Sequence, residues 1–263
     1  MFFNSDTSGK MIFDAVASIY DAGRPGYPEA MFNDLLSLGA LGLQENNCLE
    51  IGSGSGQATR QLLDYVSSVE CVEPGESMCA MLRQHFQGNP RVNIHRSELE
   101  SFQSAREFSF VFAGNSLHWI QPDLAYDKIE ALLAEEAWFT GVWNMPRFSQ
   151  LVYGFMQDLI LPHDKEFSIP VAGEFEVDYF AQGFADFKKR GFRSCAHFTY
   201  ENRRVIAPLA LRNLIWSYIN VTGMSVATQE ELFARTLKGF EEFEPNELWV
   251  DDTFMMGCGK KPL

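Results

Sequence analysis

The chain has no C-x-x-C pair. Its five cysteines, Cys48, Cys71, Cys79, Cys195 and Cys258, are an odd number scattered through 263 residues. No Cys and His spacing suits zinc, so no metal is expected, and buried thiols in a reducing compartment are favoured over a disulfide framework. No stretch approaches the roughly 18 apolar residues of a membrane span. The first residues, Met1-Phe2-Phe3-Asn4-Ser5-Asp6, lack the basic region and apolar stretch of a signal peptide. A cytoplasmic protein with no membrane partner is the expectation. Basic residues are scarce, 21 Lys and Arg against 35 Asp and Glu, for a net charge of −14. That balance argues against nucleic acid, where phosphate contacts supply most of the affinity. It fits a solvated surface that keeps the protein soluble. Internal repeats and low-complexity runs are absent too.

What is present is an ordinary globular composition, 46% hydrophobic and 21% charged, at a length that suits one large domain with an insertion. Phe13, Val16, Ala17 and Tyr20 recur at helical spacing, and Pro28 opens a second helix with Met31, Phe32, Leu35, Leu36 and Leu38 on its apolar side. Strands are expected near 47–51, 68–72, 92–95, 108–113 and 138–143, with helices between them, the last over 124–133. The run from Phe108 to Ala113 is nearly all apolar, as in a strand buried on both faces of a parallel sheet. Alternating strands and helices imply βαβ units with right-handed crossovers. The pattern breaks after Asn144. Residues 146–196 are rich in aromatics and read as an insertion folding as helices over the C-terminal edge of the sheet. A sixth strand over 197–205, a helix from Pro208 to Asn220, a helix opened by a capping box at Thr228-Gln229-Glu230-Glu231 and a last strand over 248–258 follow. The expectation is therefore an α/β, Rossmann-like, seven-stranded, mostly parallel sheet with helices on both faces. Its single domain, 1–263, divides into N-terminal helices (1–45), a cofactor-binding core (46–145), a lid (146–196) and the rest of the sheet (197–263).

The chemistry concentrates at Cys48-Leu49-Glu50-Ile51-Gly52-Ser53-Gly54-Ser55-Gly56. An apolar strand ends in an acid, three alternating glycines follow, and a helix starts at Gln57. Glycines let a ligand approach bare backbone, and a helix N-terminus favours negative charge. The dinucleotide fingerprint wants glycine at positions one, three and six. Counting from Gly52, position six is Gln57, and an acid stands before the first glycine, so a nicotinamide dehydrogenase is disfavoured. A second apolar run, Val69-Glu70-Cys71-Val72-Glu73-Pro74, ends in an acid about 20 residues on.

In this order the segments resemble motif I and the following motifs of the class I S-adenosylmethionine (SAM) dependent methyltransferases, of the type 11/25 domain. Ser97-Glu98-Leu99-Glu100-Ser101-Phe102 resembles the adenine-side segment. Asn115-Ser116-Leu117-His118-Trp119 resembles the loop after the fourth strand. Tyr20-Asp21-Ala22-Gly23-Arg24-Pro25-Gly26-Tyr27-Pro28 is similar to the N-terminal segment of the small-molecule branch that includes trans-aconitate methyltransferase. The resemblance covers roughly the first 145 residues. It implies SAM as cofactor and S-adenosylhomocysteine as product. It places Gly52, Ser53, Gly54 and Gly56 against the cofactor, Glu50 toward its ammonium, and Glu73 on both ribose hydroxyls. Pro74 and Met78 fall near the adenine, with plain helix core an equal reading of Met78. Glu98 or the Leu99 backbone falls on the adenine amino group, Asn115 at the cofactor, and Arg24 on its carboxylate. Tyr20 is a candidate to cover the sulfonium, or a core aromatic. His118 is the candidate general base, at the sheet edge where ligands of open α/β folds bind, with a backbone-bonded structural histidine as the other reading. Trp119, Trp143 and Trp216 are pocket candidates that also suit a core.

The implied activity is methyl transfer to a small organic acceptor, favouring a carboxylate or hydroxyl oxygen. The aromatic insertion suits apolar surface and argues weakly against a polyacid. The alternative is a SAM-binding protein of this fold catalysing cyclisation or decarboxylation. A monomer or homodimer is expected.

Overall fold

The computed structural model describes residues 21, 23–42, 46–165, 167, 169, 171, 186–217 and 224–263. Tyr20 and the first expected helix lie outside them, as does much of the middle of the insertion. The seven strands are β1 (Asn47–Ile51), β2 (Ser68–Glu73), β3 (Val92–Arg96), β4 (Phe108–Gly114), β5 (Leu133–Phe148), β6 (Arg193–Val205) and β7 (Trp249–Lys260). They form one sheet in the order β3-β2-β1-β4-β5-β7-β6. Pairings from β3 through β5 are parallel, and β7 lies antiparallel between β5 and β6. Strand order reverses between β1 and β4, so a crevice opens there at the carboxyl ends of the strands.

Alternation along each strand sorts side chains between two layers. Leu49 and Ile51 of β1, with Val111 and Ala113 of β4, join one apolar layer with Ile129 and Phe139. Cys48, Phe110 and Phe112 face the other, with Met31, Phe32, Leu62 and Leu82. Glu50 falls on the second face, under the helix that follows the glycines. That side is covered by α1 (Glu29–Ser37), α2 (Gln57–Leu62) and α3 (Glu76–His85), while α4 (Pro122–Leu132) covers the first.

Several boundaries differ from the expectation. β5 begins at Leu133 and runs to Phe148, because antiparallel pairing with β7 carries it past the parallel part of the sheet. A register irregularity between Phe108 and Phe110, with Glu136 at φ 59°, marks where periodicity alone would have ended the helix and begun the strand. Leu36, expected on the apolar side of α1, is 37% exposed. The insertion contributes α5 (Gln150–Ile160), and α6 (Pro208–Trp216) and α7 (Val226–Phe240) stand between β6 and β7. These three helices share a third apolar cluster around Met156, Ile160, Leu211, Leu214, Leu232 and Phe240. The cap of α7 is Ser225, whose hydroxyl accepts from the Thr228 amide at 3.2 Å, rather than Thr228 itself. Thr228 occupies the third helical position because Ser225 already has the extended backbone a cap requires.

Candidate functional site at the glycine turn

β1 delivers its last residues into a turn in which Gly52, Gly54 and Gly56 all have positive φ, at 68°, 56° and 97°. A Cβ on Gly52 would sit 2.4 Å from that of Ser116, whose hydroxyl donates to the Ile51 carbonyl at 2.5 Å. A Cβ on Gly56 would meet the Phe86 ring at 2.6 Å, so this glycine lets α3 pack on the turn and serves as the left-handed cap of α2. The Gly54 amide donates to the Glu73 carboxylate at 2.9 Å, and the Gly75 amide donates to its other oxygen at 2.8 Å. β2 thereby fixes the turn from its own end.

Glu50 is 2% exposed. Its carboxylate accepts from the Thr59 hydroxyl of α2 at 2.5 Å, with the Cys71 thiol 3.9 Å away. Burial pushes its pKa up to about 8, against the lowering effect of the Thr59 bond. No cation compensates it among the described ion pairs. The cleft above is lined on the β1 side by Glu50, Gly52, Ser53, Gly54, Gln57 and Ala58. Gly114, Asn115, Asn144 and Phe254 line it across the switch point, and Arg24, Pro25 and Tyr27 come from the N-terminal segment.

This cleft at the switch point of a 3-2-1-4-5-7-6 sheet can be set beside known proteins. The profile of a family described as "Methyltransferase domain" matches residues 49–140. An uncharacterized methyltransferase of Mycobacterium bovis is 24% identical over 132 residues, 50% of this chain and 51% of that one. Two Mycobacterium tuberculosis methyltransferases match to the same extent. The alignment thus spans about half the length of the curated relatives. Among solved structures, the [4+2]-cyclase SpnF has a TM-score of 0.55 at 15% identity, covering 99% of this chain and 97% of that one. Haemonchus contortus phosphoethanolamine N-methyltransferase 2, in complex with S-adenosyl-L-methionine, has a TM-score of 0.52 at 14% identity, covering 95% and 57%. At such identities the structural likeness shows the fold.

Over residues 49–140 the chain is similar to the methyltransferase domain family.

SAM, the cofactor of such methyltransferases, brings an ammonium, a carboxylate and a diol, and the groups of this cleft fit it. Glu50 is a buried acid with no cation among its described partners. The Nε2 of Gln57 is a buried donor with no partner among the described residues. Glu73 accepts the Gly54 and Gly75 amides, one on each oxygen, and a carboxylate at this place is the acceptor that a diol calls for. Arg24 is held in the cleft wall by Ser217, Nε to Oγ at 3.0 Å and Nη2 to the carbonyl at 3.3 Å.

Other expected site residues stand apart from this cleft lining. Pro74 and the buried Met78 follow β2, and the buried Leu99 follows β3 beside Glu98, whose carbonyl accepts from the Ser101 and Phe102 amides. His118 lies in the single-turn helix Leu117–Trp119, its ring 5.0 Å from that of Trp119. Burial, and after it the charge of Arg24, lowers its pKa to about 4. Its Nδ1 is buried without a hydrogen-bond partner among the described residues. Trp143 is buried in the first layer against Gly141. Trp216 packs in the helical cluster, its indole N–H donating to Thr236 at 3.1 Å, away from the cleft.

Sequence reasoning passed over Tyr27, Gln57, Asn144 and Phe254 as cleft residues. Asn144 had the same signal as Glu50 and Glu73, a polar residue closing an apolar strand. Phe254 sits mid-strand on an antiparallel β7 and had none.

Proposed function

We propose that this protein transfers the methyl group of SAM to a small organic acceptor, with oxygen as the receiving atom. The reading rests on one observation above all. A buried Glu50, with no cation beside it among the described residues, underlies a glycine turn whose central amide is tied to Glu73, at the crevice where α/β folds bind ligands.

In this reading Glu50 takes the cofactor ammonium, directly or through water, and Glu73 the ribose hydroxyls. Gln57 and Arg24 take the carboxylate, Gly52, Ser53, Gly54 and Asn115 line the amino-acid end, and Met78, Glu98 and Leu99 bound the adenine. The cofactor supplies an electrophilic methyl on a sulfonium. The protein's own contribution is to hold the acceptor in line and exclude water, an effect worth up to about 7–11 kcal/mol. His118 is neutral near pH 7 and offers a ring nitrogen to take the acceptor's proton as it leaves. The aromatic composition of 146–196 suits an acceptor with apolar surface, and the protein works in the cytoplasm as a monomer or homodimer.

A second reading has the same fold and cofactor serving a non-methylating reaction; the likeness along nearly the whole chain to the [4+2]-cyclase SpnF favours keeping it in view. The decisive experiment is titration of the purified protein with SAM, followed by S-adenosylhomocysteine release with a panel of acceptors. One-site micromolar binding with release on adding acceptor supports methyl transfer. Binding with acceptor consumed and no release supports the second reading. No binding of SAM or S-adenosylhomocysteine rules out both.

A further inference from the structure

Among the described residues lining the cleft, one buried and unpartnered side-chain atom is left unused by the cofactor assignment. Asn144 is 7% exposed, and its Oδ1 has no hydrogen-bond partner among the described residues. Buried acceptors are normally satisfied, so an orphan in a cleft wall marks a place where a ligand supplies the donor. The amide's orientation is fixed from behind. Nδ2 of Asn144 donates to Asp252 Oδ1 at 3.4 Å, a long bond, and the other Asp252 oxygen accepts from Arg204 Nε at 2.6 Å. Asp252 is buried on β7, and a carboxylate paired with guanidinium only accepts. The Asn144 nitrogen must therefore face Asp252 and the oxygen must face away. The backbone is pinned as well, since the Asn144 amide donates to Asn115 Oδ1 at 2.7 Å. The string Arg204–Asp252–Asn144 thus runs from the edge strand through β7 and ends in an oriented acceptor.

Its position separates it from Glu50 and the glycine turn, with Asn115 between. Glu50 and the glycine turn belong to β1, Asn115 follows β4, and Asn144 lies on β5. Two strand spacings, about 10 Å, put Asn144 on the opposite wall. Glu50, Gln57 and the glycine turn suit the amino-acid end of the cofactor, and Asn115 after β4 is the last group assigned to it, which leaves Asn144 on the next strand to the methyl acceptor.

We propose that Asn144 Oδ1 is a specificity determinant that receives a hydrogen-bond donor of the methyl acceptor, and that the acceptor is a neutral hydroxyl-bearing molecule rather than a carboxylate. The inference rests on the methyl-transfer reading of the cleft. A hydroxyl supplies the donor that the orphan oxygen lacks. A carboxylate brings only acceptors, against an amide oxygen backed by a second, buried carboxylate, and such a mismatch is what discriminates most strongly between ligands. Arg24, the cation in the cleft wall, is assigned to the cofactor.

The test is calorimetric binding to protein saturated with S-adenosylhomocysteine. The probes are matched alcohol and carboxylate pairs on aromatic and aliphatic skeletons, 2-naphthol and 2-naphthoate among them. Hydroxyl members should bind more tightly than their carboxylate partners. Asn144→Ala should weaken the hydroxyl members at least tenfold with S-adenosylhomocysteine affinity within twofold of wild type, which also reports an intact fold. Asp252→Asn lets the amide turn, because an amide at 252 donates as well as accepts, and should narrow the hydroxyl preference. Carboxylates binding as well as hydroxyls, no hydroxyl member binding, or hydroxyl affinities unchanged in Asn144→Ala overturns the proposal alone. Failure of the wild-type protein to bind S-adenosylhomocysteine removes the methyl-transfer reading, and the proposal falls with it.

Discussion

Glu50 has an ordinary carboxyl pKa of 4.5 when exposed and about 8 when folded, raised chiefly by burial. The folded protein therefore holds a proton that the unfolded chain has lost between those values. Its stabilising contribution is complete below pH 4.5 and disappears as pH rises through 8, a change on the order of a few kcal/mol. Thermal melts of the ligand-free protein should show Glu50→Gln losing less stability than wild type between pH 5 and 8; parallel losses would rule out the protonated acid. A cofactor ammonium reverses the preference. Binding at pH 7 should release up to one proton from Glu50, detectable by titration in buffers of different ionisation enthalpy, and Glu50→Gln should bind weakly without that release. His118 makes an opposite kind of prediction. With its pKa at about 4, it stays neutral well below the usual histidine range. If it takes the acceptor's proton, an acid limb of kcat from this group falls near pH 4, not 6.5, and His118→Ala lowers kcat while leaving SAM affinity intact. A limb near 6.5 that vanishes in the variant would show a histidine far more solvated than this one. Gly52→Ala combines a left-handed backbone with the clash on Ser116, and should cost about 1–2 kcal/mol from the backbone alone, read by denaturant titration.

At the scale of elements, legibility followed the physics of each signal. β1, β2 and β4 were plain because strands buried mostly on both faces leave largely apolar runs, with Glu50, Glu73 and Asn115 at or beside their ends. β5 was half legible. Its parallel part is apolar, but Glu135, Glu136 and Pro146 interrupt the pattern, and only pairing with a distant β7 shows the strand continuing. The caps of α7 show a similar limit. Ser225 and Thr228 both read as helix-starting residues, and their hydroxyls lie 2.8 Å apart, so residue type could not choose between them. The extended backbone of Ser225 decides it. Ser225→Ala should accordingly destabilise the protein by about 1 kcal/mol, with Thr228→Ala costing less, and neither should alter cofactor affinity. Equal costs in chemical denaturation would put the cap elsewhere.

The whole molecule joins the sheet to the helical cluster of α5, α6 and α7, and one such joint passes through the cleft wall. Arg24 comes from the N-terminal segment, yet Ser217, just past α6, holds its guanidinium, and the Ser217 hydroxyl itself donates to Leu214 at 2.6 Å. Gly23 makes the approach possible. A Cβ there would stand 2.6 Å from the Asn213 carbonyl carbon and 2.7 Å from the Leu214 nitrogen, both backbone atoms of a packed helix that cannot swing aside. No periodicity in the sequence signals this contact, because it joins residues nearly two hundred positions apart. Gly23→Ala must therefore push the segment off α6 and carry Arg24 away from its anchor. The core layers on either side of the sheet are untouched, so the loss should appear in cofactor affinity, by about tenfold if Arg24 contributes one charged hydrogen bond, with a smaller change in melting temperature. Ser217→Ala should act in the same direction more weakly, since the Ser217 carbonyl still accepts from Nη2. A Gly23→Ala protein that binds SAM as tightly as wild type would show that Arg24 does not hold the cofactor, whatever its distance from Ser217.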